Sequence, residues 1–157
     1  MYLFLFIIVV KNGQFNVAEL RILKGDDIEA RTTHTGSTPL HLASGEGHLD
    51  LMSLLIEKGA DVESVLDSGG YTSICVAVIF NQPRAVELLI AKGCNFNIRT
   101  KTPPCTRFET PLQLAEGWEY TEIVKILKAA KRRFLRLCTL KPPMAFRVPW
   151  CKGSEKN

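Results

Sequence analysis

The apolar residues of this chain form short helical stripes that recur at a fixed interval. Within residues 49–58, the side chains of Leu51, Met52, Leu54 and Leu55 fall on one side of a helix, and Gly59 follows where a left-handed helix end is needed. A similar stripe closed by lysine and glycine occurs 34 residues later, at 88–93, and 34 residues earlier, at 20–25. The pattern predicts the same helix and turn at all three places.

A second motif keeps the same register. Residues 36–43 have the sequence Gly-Ser-Thr-Pro-Leu-His-Leu-Ala, and altered copies occupy 70–77 and 109–115. Thr38 is placed to cap a helix, and Pro39 fits its first turn because an N–H there has no helical partner. Each unit is therefore predicted to contain a helix, a turn, a second helix and a glycine-closed loop. A repeat of this length indicates stacked units rather than one globular core.

These motifs resemble the ankyrin repeat, whose signature is G-x-T-P-L-H-x-A followed by a second helix that ends in L-L-x-x-G-A. The resemblance implies an all-α ankyrin-repeat solenoid of helix-turn-helix units with hairpin-like loops. We expect a repeat domain over residues 1–134, followed by a basic, proline-containing tail over 135–157. The four units are expected at about 1–32, 33–66, 67–100 and 101–134.

The third and fourth units depart from the signature in their capping and turn residues. The third has Cys75 in place of the histidine and Asn81 in place of Gly47, and asparagine tolerates the left-handed conformation that such a turn needs. The fourth has Gln113 in place of the histidine and Glu119 at the turn, which is the weakest turn signal of the set. Four extra residues fall within 101–108, where two prolines predict a rigid, extended loop.

The first unit lacks the Thr-Pro motif, and its first helix is apolar on every side. Terminal units of a solenoid normally turn a polar face to water. Three interpretations are open: an upstream repeat covers this helix, self-association or strained burial covers it, or the run is a signal or membrane segment. Ten apolar residues do not span a bilayer, which needs about 20, and no basic segment precedes the run. The ten residues are 1–10, and those at the places of residues 38–44 in the second unit are Phe4, Leu5, Phe6, Ile7, Ile8, Val9 and Val10.

Charge divides the chain into an acidic body and a basic end. Residues 1–127 hold 11 lysines and arginines against 15 acidic residues, whereas residues 128–157 hold 9 against 1. The cluster at 131–136 has a simple explanation as a helix C-terminus whose cations interact favourably with the helix dipole. Nuclear import, an acidic lipid surface and nucleic acid are alternatives. We do not expect nucleic acid or a membrane to be the main partner.

The sequence contains no pattern that predicts catalysis, a cofactor or a metal. Its five cysteines form no CxxC pair, which favours an intracellular, cytoplasmic or nuclear location over a disulfide scaffold. Cys75 and Cys94 are predicted to be buried core residues. His41 matches the histidine of the repeat signature, and both it and His48 are expected to make structural hydrogen bonds. We therefore expect a protein that is not an enzyme.

Members of the ankyrin family usually bind their partners at the hairpin tips and at the exposed ends of the first helices, which line a concave surface. Position Glu46 becomes Phe80 and then Trp118 in later units, so an aromatic patch with Tyr71 is predicted there. The alternative is that Phe80 and Trp118 pack into the inter-helix turns. The predicted partner-binding residues are His34, Thr35, Ser37, Glu46, Tyr71, Ile79, Phe80, Arg107, Phe108 and Trp118.

The leading hypothesis is a non-catalytic protein–protein interaction module that binds another protein on its concave face, as an inhibitor or an adaptor. The alternative is a targeting or regulatory ankyrin fragment of a longer enzyme, channel or membrane-associated protein. The sequence does not identify the partner.

Overall fold

The described chain consists of pairs of helices connected by loops. The computed structural model describes residues 2–67, 69–101 and 108–139, and over these ranges eight helices form four helix-turn-helix units. The first helices of the units are α1 (Tyr2–Lys11), α3 (Pro39–Glu46), α5 (Ser73–Ile79) and α7 (Pro111–Gly117). The second helices are α2 (Phe15–Leu23), α4 (Leu49–Glu57), α6 (Pro83–Ala91) and α8 (Thr121–Thr139). The predicted all-α repeat architecture is confirmed.

The units stack in chain order. Each first helix packs on the first helix of the next unit, and each second helix on the next second helix. One hydrophobic core runs through the stack, with Leu40, Leu55, Ile74, Leu89 and Ile123 fully buried along it. Burial of these apolar stripes holds the units together, because helices of seven to ten residues such as α1–α7 have little intrinsic stability.

The third residue after the helix cap differs from unit to unit, yet its side chain contacts the cap threonine in each of the three units described below. In α3, Nδ1 of His41 lies 2.8 Å from the Oγ1 of Thr38 and accepts the Thr38 N–H at 3.3 Å. In α7, Oε1 of Gln113 accepts the Thr110 N–H at 3.0 Å. In α5, the thiol of Cys75 is 3.5 Å from the hydroxyl of Thr72. Cys75 and Cys94 are both buried free thiols, as predicted.

The inter-helix turns keep one backbone conformation despite different residues. Gly47 has a positive φ of 75°, and the two replacements, Asn81 at 52° and Glu119 at 59°, adopt the same left-handed conformation. The prediction for Asn81 is confirmed, and the turn of the fourth unit is formed as well. The tertiary context therefore imposes a strained conformation on Glu119.

Extended backbone occurs at two of the hairpin-like loops. Val65 and Thr72 form an isolated antiparallel bridge ahead of α5. Before α7, β1 (Thr100–Lys101) pairs antiparallel with β2 (Phe108–Glu109). The two prolines of the predicted rigid loop, at 103 and 104, lie outside the described residues.

The last helix is longer than predicted. We expected it to end near residue 134, but α8 continues to Thr139. Its apolar stripe does not stop at Leu127, since Ala130 and Phe134 also pack against the core and Phe134 meets the ring of Phe96 edge-on at 6.4 Å. The rest of the basic tail, from residue 140, lies outside the described residues. Across the described ranges, no helix combines the length and apolar character needed to cross a membrane.

Candidate protein-interaction surface

Two large aromatic side chains stand exposed at equivalent places in neighbouring units. Phe80 is the C-cap residue of α5, and Trp118 is the C-cap residue of α7. Phe80 is 61% exposed and Trp118 is 45% exposed. Because α5 and α7 pack directly on each other, the two aromatics lie at the same edge of the stack. We call this pair the aromatic edge.

Phe80 is oriented by a glycine of the preceding unit. A Cβ atom added to Gly45, which is buried in α3, would lie 3.3 Å from Cδ2 of Phe80 and 3.2 Å from Cγ1 of Val76. The absence of a side chain at Gly45 therefore lets the Phe80 ring lie across the end of α3. One edge of the ring is held by this contact, and most of its surface faces solvent.

Trp118 is braced by an aromatic neighbour. Its ring meets that of Tyr120 edge-on, with centroids 5.8 Å apart and an interplanar angle of 67°. Tyr120 is half-buried and packs against the core, so it anchors the exposed indole. Such edge-to-face pairs restrict the motion of a ring without burying it. Trp118 is thus presented in a defined orientation.

Tyr71 is separated from the aromatic edge. It precedes the N-cap Thr72, so it lies at the opposite end of α5 from Phe80, about 10 Å away along the helix. Its side chain is half-buried against the core, and burial raises the pKa of its hydroxyl above the usual 10.0. The predicted three-residue patch is therefore divided into a hairpin-side tyrosine and a turn-side aromatic pair.

The remaining predicted contact residues differ in their exposure. His34, Thr35 and Glu46 are exposed, whereas Ile79 is half-buried. Ser37 is only 8% exposed, and its hydroxyl lies 2.6 Å from that of Thr35, so it does not belong to the exposed surface. Arg107 lies outside the described residues, and for Phe108 only its backbone place in β2 is described.

Two glutamate carboxylates join successive loops. The Glu29 carboxylate accepts the Asp61 N–H at 2.8 Å, and the Glu63 carboxylate accepts the Asn95 N–H at 2.6 Å. Each bond joins residues 32 apart in the sequence, and so connects successive units. Arg31 adds a third link by donating to the Val65 carbonyl at 2.9 Å. The hairpin side of the stack is therefore a continuous hydrogen-bonded surface.

The two histidines predicted to be structural both connect units. Nε2 of His41 donates to the Tyr71 carbonyl at 3.2 Å, and Nε2 of His48 is 3.0 Å from the Lys11 carbonyl. Gln82, one repeat after His48, donates to the Gly45 carbonyl at 3.1 Å in the same manner. Burial lowers the pKa of His41 from 6.5 to about 4, so its ring is neutral at neutral pH.

The described residues lack the arrangements that bind metal ions, and some of them line a surface depression. No group of histidine, cysteine and acidic side chains in the described ranges has the arrangement needed to hold a metal ion. A surface depression of about 600 Å³ lies between α7 and α8, where Glu116 pairs with Lys128 at 2.8 Å. Its walls carry lysine, arginine and glutamate but no histidine or cysteine. The depression therefore lies on a charged surface at the end of the stack.

Comparisons with known proteins agree with the repeat geometry. A family model described as ankyrin repeats (3 copies) matches residues 6–100. A putative palmitoyltransferase of Danio rerio is 34% identical over 104 residues, which cover 66% of this chain and 15% of that protein. A probable E3 ubiquitin-protein ligase of Oryza sativa subsp. japonica is 37% identical over 84 residues, covering 45% of this chain and 16% of the relative.

A cation channel is also among the relatives. The transient receptor potential cation channel subfamily A member 1 of Drosophila melanogaster is 29% identical over 122 residues, covering 73% of this chain and 10% of that protein. The chain thus spans 16% or less of the length of each of these relatives.

Proposed function

The chain belongs to the ankyrin-repeat family, and we propose that it is a non-catalytic binding module whose aromatic edge, Phe80 and Trp118, contacts a partner protein. Ankyrin repeats mediate protein–protein interactions, and ankyrin-repeat domains are generally non-catalytic. The observation that carries the proposal is the exposure of these two aromatics at equivalent positions of adjacent units.

The energetics of interfaces favour this edge over the rest of the surface. Large aromatic side chains supply much of the binding energy at protein interfaces, particularly when their conformation is restricted before binding. Phe80 is restrained over Gly45, and Trp118 is restrained by Tyr120. A partner that covers both rings gains apolar burial while losing little side-chain entropy.

The partner surface extends toward the hairpin side in this proposal. Exposed His34 and Thr35 lie in the loop before α3, and half-buried Tyr71 lies in the loop before α5. The Glu29 bridge joins these two loops, and the Glu63 bridge joins the loop before α5 to the loop that follows α6. A polar hairpin side and an apolar edge separated by the length of α5 suit recognition of a folded protein, as an inhibitor or an adaptor in an intracellular compartment.

Affinity capture with matched variants tests the proposal. The immobilised wild-type chain, F80A/W118A and L23A are incubated with the same cell extract, and bound proteins are quantified by mass spectrometry. Leu23 is a suitable control because it is 67% exposed but lies on α2, in the first unit. We expect the double variant to lose at least about tenfold of the specifically captured protein, whereas L23A retains it. Equal capture by the wild type and F80A/W118A would overturn the proposal.

A second candidate is that this chain is the regulatory or targeting region of a longer enzyme or channel. The names of the relatives and the small share of their length that the chain covers favour this candidate. An antibody raised against the repeat stack would then detect an endogenous protein much larger than 17.6 kDa. A single endogenous band at 17.6 kDa would count against it.

A further inference from the structure

The last helix continues well beyond the length of the other second helices. The helices α2, α4 and α6 have nine residues each, whereas α8 has 19. Since α6 ends at Ala91, whose equivalent in the fourth unit is Ala129, residues 130–139 form an extension without a counterpart in the earlier units. The extension is held on the stack, because Phe134 packs against the core and its ring meets that of Phe96 edge-on.

This extension is strongly basic. No acidic residue occurs in it, and its four cations are Lys131, Arg132, Arg133 and Arg136. A favourable interaction with the helix dipole is confined to the last turn of a helix. Arg136 is the basic residue in the last turn of α8, and the other three cations precede that turn. The dipole therefore does not explain the cluster at 131–136.

The cations are concentrated on the outward side of α8. Residues spaced by seven and eleven positions lie on the same side of an α-helix, because they are about two and three full turns apart. Lys125, Arg132 and Arg136 have this spacing, Arg133 lies beside them, and all four are exposed. We call these four residues the outer basic stripe. Leu127, on the opposite side of α8, is buried in the core.

The stripe belongs to the outer surface of the second helices and not to the surface on which units stack. Lys125 is equivalent to Glu87 of α6, and Glu87 is exposed although the fourth unit packs on α6. Arg132, Arg133 and Arg136 continue the same outward side along the extension. The exposure of the stripe is therefore a property of this position in a repeat.

The carboxylates close to the stripe do not neutralise it. Glu122 is the one acidic residue of α8, and its carboxylate lies 3.9 Å from Nζ of Lys125. Both side chains are more than half exposed, so this ion pair contributes little. The Glu116 carboxylate pairs with Lys128, which lies outside the stripe. The stripe thus keeps a net positive charge.

The length of the stripe and the charge of the rest of the chain indicate which anion fits. From Lys125 to Arg136 the stripe is about 16 Å long, which an extended segment of about five residues covers. Residues 1–127 are acidic, with 11 lysines and arginines against 15 acidic residues. A nucleic acid or an acidic bilayer is larger than the stripe and also approaches these carboxylates, since charges interact over about 8 Å at physiological salt. A short acidic segment avoids this repulsion.

We propose that the outer basic stripe binds a short segment of a partner protein that is rich in aspartate and glutamate. Guanidinium groups donate paired hydrogen bonds to carboxylates, and three of the four stripe residues are arginines. The aromatic edge lies at the ends of α5 and α7, whereas the stripe lies along α8. The stripe is therefore a second contact surface, and its proposed role does not rest on Phe80 and Trp118.

Fluorescence anisotropy of the full chain with fluorescein-labelled hexaglutamate tests the proposal. We expect binding at about 50 mM salt and a loss of at least about tenfold in affinity at about 500 mM salt, because salt screens exposed charges. K125Q/R132Q/R133Q should weaken binding at least about tenfold at the lower salt concentration. The matched control K24Q/K58Q/K92Q removes the same charge from exposed helix ends and should bind within about threefold of the wild type.

Circular dichroism establishes that each variant is folded, and R132Q/R133Q replaces the triple variant if that one unfolds. The proposal is overturned if the wild type does not bind hexaglutamate, or if the triple variant and its matched control lose equal affinity. It is also overturned if an oligothymidylate of about 20 nucleotides, or vesicles with about 30% phosphatidylserine, bind more tightly than hexaglutamate at about 150 mM salt. F80A/W118A should bind hexaglutamate as the wild type does, and loss of binding in this variant would place the peptide on the aromatic edge instead.

Discussion

Nε2 of His41 donates a hydrogen bond of 3.2 Å to the carbonyl oxygen of Tyr71, while Nδ1 of the same ring accepts from the cap residue Thr38. One neutral imidazole thereby caps its own helix and joins its unit to the next. Gln113 repeats only the first of these tasks in the fourth unit, since its Oε1 accepts the Thr110 N–H. The histidine of the motif is therefore a structural connector whose function depends on its protonation state.

The His41 geometry predicts a stack that loses stability in mild acid. Protonation would place a proton on Nδ1, opposite the Thr38 N–H donor, in a buried site. Since the folded-state pKa is about 4 and the unfolded value is 6.5, the unfolded chain binds more protons between these values. The contribution of neutral His41 to the free energy of unfolding is complete above pH 6.5. It falls as the pH approaches 4, by up to about 3 kcal/mol. Urea unfolding between pH 7.5 and pH 4 measures this loss.

The control for this prediction is H41Q, which copies the fourth unit. Glutamine keeps the cap on Thr38 but does not titrate. We expect H41Q to be less stable than the wild type at pH 7.5 because the bond to Tyr71 is lost, and to show a flatter dependence on pH. Parallel pH profiles of the two proteins would contradict the role given to His41.

The strained turn residues predict two stabilising substitutions. Glu119 and Asn81 have positive φ values of 59° and 52°, a conformation that glycine adopts without cost. E119G should raise the free energy of unfolding by about 1 kcal/mol, and N81G by less because asparagine tolerates this conformation. Thermal denaturation followed by circular dichroism measures whether E119G is more stable than N81G and whether both are more stable than the wild type. A destabilised E119G would show that the turn is not strained.

The Arg31 side chain is expected to stabilise the hairpin side. Its guanidinium donates to the Val65 carbonyl at 2.9 Å and to the Ser64 hydroxyl at 3.1 Å, across successive loops. The ion pair with Asp67 adds little because that carboxylate is 73% exposed. R31A should therefore lower the free energy of unfolding by about 1 kcal/mol. Arg84, which is exposed on α6, provides the control. R84A should change the free energy of unfolding by less than about 0.5 kcal/mol.

Substitution of the aromatic edge should leave the fold intact. F80A/W118A removes two largely exposed rings, so we expect a change of less than about 1 kcal/mol in the free energy of unfolding. Leu55 is fully buried, and L55A should cost about 3 kcal/mol by comparison. If the double variant were destabilised as strongly as L55A, the two aromatics would be packing residues of the turns.

Local sequence signals were sufficient to predict most of the architecture. The helix stripes and the Thr-Pro motif fixed the helix pairs, because capping and amphipathic burial act within a few residues of one another. Asn81 could be assigned to a left-handed turn for the same local reason, and burial of Cys75 followed from its place in the apolar stripe. The end of α8 was placed too early because no glycine or proline marks a helix end between residue 134 and Pro142.

The candidate surface was less predictable, since it depends on contacts between units. The bridges from Glu29 and Glu63 to backbone N–H groups required knowing which loops lie side by side. The burial of Ser37 is likewise set by the surrounding loop. The separation of Tyr71 from Phe80 is set by the length of α5. The sequence nevertheless contains a signal for these bridges, because Glu29 and Glu63 occupy the same position in successive repeats.

Site-specific photo-crosslinking in cells tests most directly whether the aromatic edge contacts the partner. The substitution Phe80→benzoylphenylalanine places a reactive ring at the edge, and Leu23→benzoylphenylalanine places the same ring on α2 as a control of similar exposure. We expect irradiation to produce a discrete crosslinked protein from position 80 and not from position 23. The same adducts from both positions, or none from position 80, would contradict the assignment of partner binding to Phe80 and Trp118.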